Sequence, residues 1–136
     1  MTAWMLDTDI CIYLINRRPG YERVLRRMEG RRYGDIVVSA VTLAELRHGI
    51  ARSARRKGNA EKAEAFLQRF DMVAFDESAA AAYGAVRARL EGSGRTIGPL
   101  NTLIASHAIS RGCILVTNNV REFRRVAGLR VENWAA

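Results

Sequence analysis

Short, uninterrupted apolar runs alternate along this chain with longer stretches in which apolar residues recur at three- and four-residue spacing. The runs at 3–6, 36–39, 72–75 and 113–116 are too short for helices, and each ends on or just before polar residues, so they read as buried strands. Between them the helical spacing places Ile10 onward in a helix to Asn16 capped by Thr8 or Asp9, and Val24, Leu25 and Met28 in a helix over 21–30 closed by Gly30. Leu43, Leu46 and Ile50 define a third helix from Val41, with Glu45 in its first turns. Ala63, Phe66, Leu67 and Phe70 define a fourth, capped by Asn59. Asp76 caps an Ala-rich helix from Glu77 to about Glu91, and Leu103, Ile104, His107 and Ala108 share a face over 100–111. A short helix at 120–125 and an apolar piece at 129–131 complete the pattern. Strands alternating with helices predict an α/β fold around a mainly parallel sheet of four to five strands, in one domain over 1–136.

In such sheets ligands bind beyond the carboxyl ends of the strands. Three polar clusters fall there: Asp7-Thr8-Asp9, Ser39 followed by Glu45, and Thr117-Asn118-Asn119; Asn101 opens the helix leading to the fourth strand. The acids Asp7 and Glu45, the carboxamides Asn101 and Asn119 and the hydroxyls of Thr8, Ser39 and Thr117 suit a hard divalent cation, which takes one or two carboxylates plus water and phosphate oxygens. Acids at strand ends also serve as plain helix caps, so this inventory alone does not decide between a metal site and local structure.

Charge adds a substrate class. The chain carries 22 Lys+Arg against 14 Asp+Glu, a formal net charge of +8, and only Lys57 and Lys62 among the basic residues are not Arg. Arg pairs bidentately with phosphate, which points to a polyanion or an acidic partner, although a genome favouring Arg and Ala codons also produces an Arg surplus. Arg47, Arg52, Arg55 and Arg56 stand out because 46–60 contains no acid, which makes them the expected binding residues for such a polyanion or acidic partner. Cys11 and Cys113 lie in apolar surroundings with no metal-binding spacing, which predicts buried, reduced thiols in a cytoplasmic protein. No apolar run approaches the length of a membrane span, and 1–10 lacks the build of a signal peptide.

The pieces LDTDI (6–10), SAVTLAEL (39–46), GRTIGPLNTLIASHA (94–108), LVTNN (115–119) and EFRRVAGLRVENW (122–134) together resemble the PIN-domain ribonuclease toxins of VapC type, over nearly the whole chain and in the right order. The resemblance implies a three-layer α/β/α fold, a Mg²⁺- or Mn²⁺-dependent endoribonuclease site, a homodimer, an RNA substrate (tRNA among the candidates) and neutralisation by a VapB-like antitoxin. Carried over by position, it makes Asp7, Glu45, Asn101 and Asn119 the catalytic set, Asp7 and Asn101 the metal ligands, and Thr8, Ser39 and Thr117 the substrate-orienting hydroxyls.

Position 101 is the departure, because the family pattern has a metal-binding Asp there. An amide oxygen can ligate a cation but brings no charge. Two origins fit: a deliberate Asp→Asn inactivation that makes a toxic nuclease safe to express, favoured by the otherwise intact motif, and a natural substitution. Asp9, where the family more often has Asn or Ser, is a candidate compensating carboxylate or simply a cap. The implied function is an RNA-cleaving toxin weakened at Asn101; the alternative is a silent PIN module that binds RNA or antitoxin without cutting. A duplex-gripping DNA nuclease of this fold is disfavoured by the lack of long insertions. His48, three residues after Glu45, reads as a surface residue, while His107, Trp4 and Trp134 read as packing residues.

Overall fold

The computed structural model describes residues 2–136. Among them, β1 (Trp4–Leu6), β2 (Ile36–Ser39), β3 (Asp71–Val73), β4 (Ile114–Val116) and β5 (Val131–Glu132) form a sheet in the order β3-β2-β1-β4-β5, with all neighbours parallel. Parallel neighbours need crossover connections, and helices supply them: α1 (Thr8–Ile15), α2 (Tyr21–Met28), α3 (Ala40–Arg52), α4 (Arg56–Leu67), α5 (Glu77–Gly92), α6 (Pro99–Arg111) and α7 (Val120–Phe123).

The two-residue period of the strands divides the core. Leu6, Ile36, Val38 and Val116 face one helical layer, with Ile10 and Leu14 of α1, Val24 of α2, Leu46 of α3 and Phe66 of α4. Met5, Val37 and Leu115 face the other, with Leu90 of α5, Ile104 and Ala108 of α6 and Phe123 of α7. This is the expected three-layer α/β/α sandwich. Each fully buried side chain of this kind contributes about 1.5–3 kcal/mol. Cys11 and Cys113 are free and buried in opposite layers. No described helix is long and apolar enough to cross a membrane.

Several boundaries shift for local reasons. α1 starts at Thr8, not Ile10, because Asp7 is the cap: its side chain accepts the Ile10 amide at 2.9 Å, so Thr8 and Asp9 lie inside the first turn. α4 starts at Arg56 with no side-chain cap, which puts Asn59 inside the helix. α2 stops at Met28, before Gly30, and β5 lies one or two residues later than expected. β3 covers 71–73 and is an exposed edge, not a buried strand. Its apolar sequel leaves the sheet, and Phe75 packs edge-on against His107 with ring centroids 5.3 Å apart. Trp4 and Trp134 are packing residues as expected: both indoles donate to Glu132 Oε1, and the Arg31 guanidinium lies 4.2 and 4.9 Å from their ring centres.

Candidate active site

The sheet ladder continues past the carboxyl ends of β1 and β4. The Asp7 amide donates to the Val116 carbonyl and the Thr117 amide to the Glu132 carbonyl, both at 3.0 Å, which sets Asp7 beside Thr117. The Thr117 hydroxyl donates to Asp7 Oδ2 at 2.5 Å, and Thr117 Oγ1 accepts the Asn119 amide at 2.9 Å. On the other side, the Thr8 hydroxyl donates to Glu45 Oε1 at 2.6 Å; having one proton, it accepts from Thr42 Oγ1, 3.1 Å away. Thr8, Glu45, Asp7, Thr117 and Asn119 are therefore tied into one end of the sheet.

Asn119 and Asn101 are joined by a residue that sequence reasoning missed. The side-chain amides of both donate to Glu122 Oε2, Asn119 at 2.5 Å and Asn101 at 3.0 Å, while the Gly98 amide donates to Glu122 Oε1 at 2.9 Å. A carboxylate only accepts, so both amide nitrogens must face Glu122 and both amide oxygens turn away from it. The signal was present: Asn119 followed three residues later by Glu122 is a capping-box pattern at the start of α7. Thr42, fully buried, was also missed.

The two acids differ in their protonation. Asp7 is 2% exposed, and burial pushes its carboxyl from 3.8 up to about 7; hydrogen bonds from Thr117 and Ile10 oppose the rise, and the charges of Asp9 and Glu45 add to it. Glu122 is held below its ordinary value, first by the Gly98 amide, with partial burial opposing and Asn119, Asn101 and Arg125 assisting.

Ser39 does not join this network. Its side chain is fully buried, accepts the Val41 amide at 3.0 Å and lies 2.8 Å from His107 Nδ1, so it caps α3 and anchors a histidine; the expectation of a substrate-orienting hydroxyl is corrected. Burial, with Arg111 nearby, lowers the His107 pKa, which favours the neutral packing residue expected. His48 is exposed. Arg47, expected to bind RNA or an antitoxin, pairs with Glu64 of α4. Arg52, Arg55 and Arg56 are exposed, but even Arg52 follows Glu45 by seven residues along α3, roughly 10 Å at 1.5 Å per residue. Arg125, whose charge helps to hold the Glu122 carboxyl low, donates from Nη1 to the Thr96 carbonyl at 3.0 Å.

The donor set fits a divalent cation. Among the described residues the ion pairs are Arg27–Glu132, Arg47–Glu64 and Arg87–Glu91, so Asp7, Asp9, Glu45 and Glu122 form no direct ion pair in a chain of net charge +8. Asn118 Oδ1, in the same turn as Thr117 and Asn119, is buried without a hydrogen-bond partner. No three described His, Cys, Asp or Glu side chains converge closely enough to hold an ion by themselves. A hard cation such as Mg²⁺ usually keeps several waters and takes only one or two protein carboxylates, which these residues could supply.

A three-layer parallel fold with unpaired acids at the strand ends defines the class, and the sequence agrees: residues 4–129 match the PIN domain, and the chain belongs to that family. Within it, the chain belongs with the VapC ribonucleases. It is 43% identical over 135 residues to the tRNA(fMet)-specific endonuclease VapC of Shigella flexneri, covering 99% of this chain and 100% of that one. It is 40% identical to ribonuclease VapC2 of Rickettsia felis, covering 96% and 97%. A chain of the crystal structure of DNA-bound VapBC from Salmonella typhimurium superposes with a TM-score of 0.91 at 38% identity, covering 98% and 99%.

Proposed function

We propose that this chain is the toxin of a VapBC-type pair, a Mg²⁺- or Mn²⁺-dependent endoribonuclease acting in the cytoplasm on RNA, tRNA foremost, with activity held down by Asn101. The observation that carries this reading is the unpaired acid network, which joins Asp7, Glu45, Asn119, Asn101 and Glu122 through Thr8, Thr117 and Gly98. The identity to a tRNA(fMet)-specific endonuclease supports the substrate class.

In this reading Asp7 and Glu45 hold the ion, with the Asn101 and Asn119 side-chain oxygens as neutral ligands. Thr117 and Thr8 fix the two carboxylates through the hydrogen bonds they already donate. A bound divalent ion supplies a coordinated water of lowered pKa and neutralises charge at the scissile phosphate. Glu122 keeps Asn101 and Asn119 oriented. An Asp at position 101 adds the charge that Asn101 lacks, so Asn101 lowers ion affinity. Asp9, exposed in the first turn of α1 and with its charge acting on Asp7, is a candidate carboxylate to offset that loss.

The antitoxin surface we infer is a groove of about 710 Å³ between α1, α2 and α4, with Leu14, Leu25 and Phe66 as its floor and Arg17, Lys62 and Arg69 among its lining residues. That composition fits an amphipathic acidic segment better than the Arg47, Arg52, Arg55 and Arg56 stretch does. The homodimer implied by the resemblance finds support in Leu100, an apolar side chain 46% exposed beside Asn101. The silent-module reading is favoured by one observation only, the engagement of the Asn101 amide by Glu122.

The test is incubation of the chain and its Asn101→Asp variant with total cellular RNA and Mg²⁺, mapping new 5′ ends. The variant should cleave, at discrete tRNA positions, at least tenfold faster than the parent chain. Equal rates would overturn the role of Asn101, and absence of cleavage by both would favour the silent module.

A further inference from the structure

We propose that the cavity between α5, the 93–98 loop and the start of α6 is a subsite for one nucleobase of the substrate RNA, and that it prefers guanine. This inference rests on the ribonuclease reading above.

The cavity, about 260 Å³, is sized for a flat heterocycle, not for a helix or strand. Its position is tied to the acid network. Thr96, Ile97 and Pro99 line it, and the same loop carries the Gly98 amide that binds Glu122 and the Thr96 carbonyl that binds Arg125. A Cβ on Gly98 would lie 3.7 Å from Asn101 Nδ2 and 3.8 Å from Glu122 Oε1, so one turn of backbone separates acids from cavity. Arg125 is anchored to that loop through the Thr96 carbonyl and offers a positive charge to the backbone of a bound strand.

The lining chemistry selects the occupant. Leu90, Ile97 and Pro99 offer apolar surface to a ring face, and Tyr83 adds an aromatic one. Arg87 Nη1 donates to the Tyr83 hydroxyl at 3.0 Å and Arg87 Nε to Glu91 Oε2 at 3.2 Å. The phenol oxygen therefore accepts, which leaves its own O–H free to donate, and Arg87 retains unused guanidinium N–H groups. The edge of the cavity thus presents donors from Arg87 and Tyr83 next to an acceptor, the Glu91 carboxylate. Guanine complements that order, with O6 and N7 as acceptors next to ring and exocyclic N–H donors; adenine has an amino donor in place of O6. Arg87 and Glu91 are about half exposed, so they can turn toward a base without unpacking the fold.

The experiment measures binding of 5′-labelled RNA hexamers, all-adenosine or carrying one guanosine, by fluorescence anisotropy without divalent ions, so that no cleavage intervenes. The guanosine hexamer should bind about tenfold tighter, and Arg87→Gln and Tyr83→Ala should each remove most of that difference. Tyr83→Phe should keep the stacking part. Melting temperatures of all three variants, and their sedimentation, are measured alongside. Equal affinity for both hexamers, or a preference that survives both Arg87→Gln and Tyr83→Ala, overturns the subsite. So does conversion of a dimer to a monomer by these variants, which would make the cavity an interface with a second copy. RNA that is bound and cleaved without base preference defeats the subsite alone; no RNA binding, with no cleavage by Asn101→Asp, defeats the ribonuclease reading with it.

Discussion

Asp7 and Glu122 stand at the same carboxyl end of the sheet, yet their surroundings treat a negative charge in opposite ways. Asp7 is sealed under the ends of β1 and β4 with two hydrogen bonds, and burial outweighs them, pushing its carboxyl to about 7. Glu122 is less buried and receives three N–H donors, from Gly98, Asn101 and Asn119, which hold it low. Desolvation wins where few donors follow a carboxylate inside, and donors win where water still reaches it. The Asp7 half of the site thus lacks positive charge, whereas the Glu122 half satisfies itself with N–H donors, two of them neutral side-chain amides.

The sharpest way to break this comparison is Asp7→Asn. As pH rises from about 4 to 7 the unfolded chain gives up the Asp7 proton before the folded one does, so stability falls across that window and the full penalty stands above 7. In chelator at pH 8 the Asp7→Asn variant should be more stable than its parent by a few kcal/mol, on the order of the three-unit shift, with little difference at pH 4. Thermal unfolding across that range checks it, and a gain independent of pH would contradict the burial argument.

For Glu122 the sign reverses: its depressed pKa gives stability that is present above its ordinary value and lost as pH falls through the folded value. Glu122→Gln turns an NH₂ group toward donors and should cost about 1–3 kcal/mol at pH 7, readable by urea unfolding, with the cost shrinking in acid. Asn101→Asp sets two carboxylates against each other where Asn101 Nδ2 now lies 3.0 Å from Glu122 Oε2. Without divalent ions it should lower stability by about 1 kcal/mol, and added Mg²⁺ should raise its melting temperature more than the parent's. The smallest effect is expected at Arg47→Ala, since the Arg47–Glu64 pair is about half exposed: under about 1 kcal/mol, with no change in ion response.

What could be read from the chain beforehand follows the physics of each element. Strands β1, β2 and β4 were legible because both of their faces are buried and their sequence is continuously apolar. The edge strand β3 was misplaced because Asp71 and Met72 are exposed while the apolar Phe75 packs outside the sheet. The start of α4 carries no capping side chain, so nothing local marked Arg56. In the site, the strand-end rule found Asp7, Glu45, Thr8, Thr117 and Asn119 but not the direction of each side chain. Ser39 follows Val37 on the β2 face that looks toward α6, and that alternation delivers it to His107. Glu122 escaped because it follows no strand end directly, whereas the fold brings Gly98 and Asn101 to it from 24 and 21 residues away.

The central claim is that the two halves form one divalent site that is a carboxylate short at Asn101. Calorimetric titration of Mn²⁺ into the parent chain, Asn101→Asp and Asp7→Asn tests it directly. The account predicts at least tenfold tighter binding by Asn101→Asp than by the parent and no measurable binding by Asp7→Asn; equal affinity in all three would contradict it.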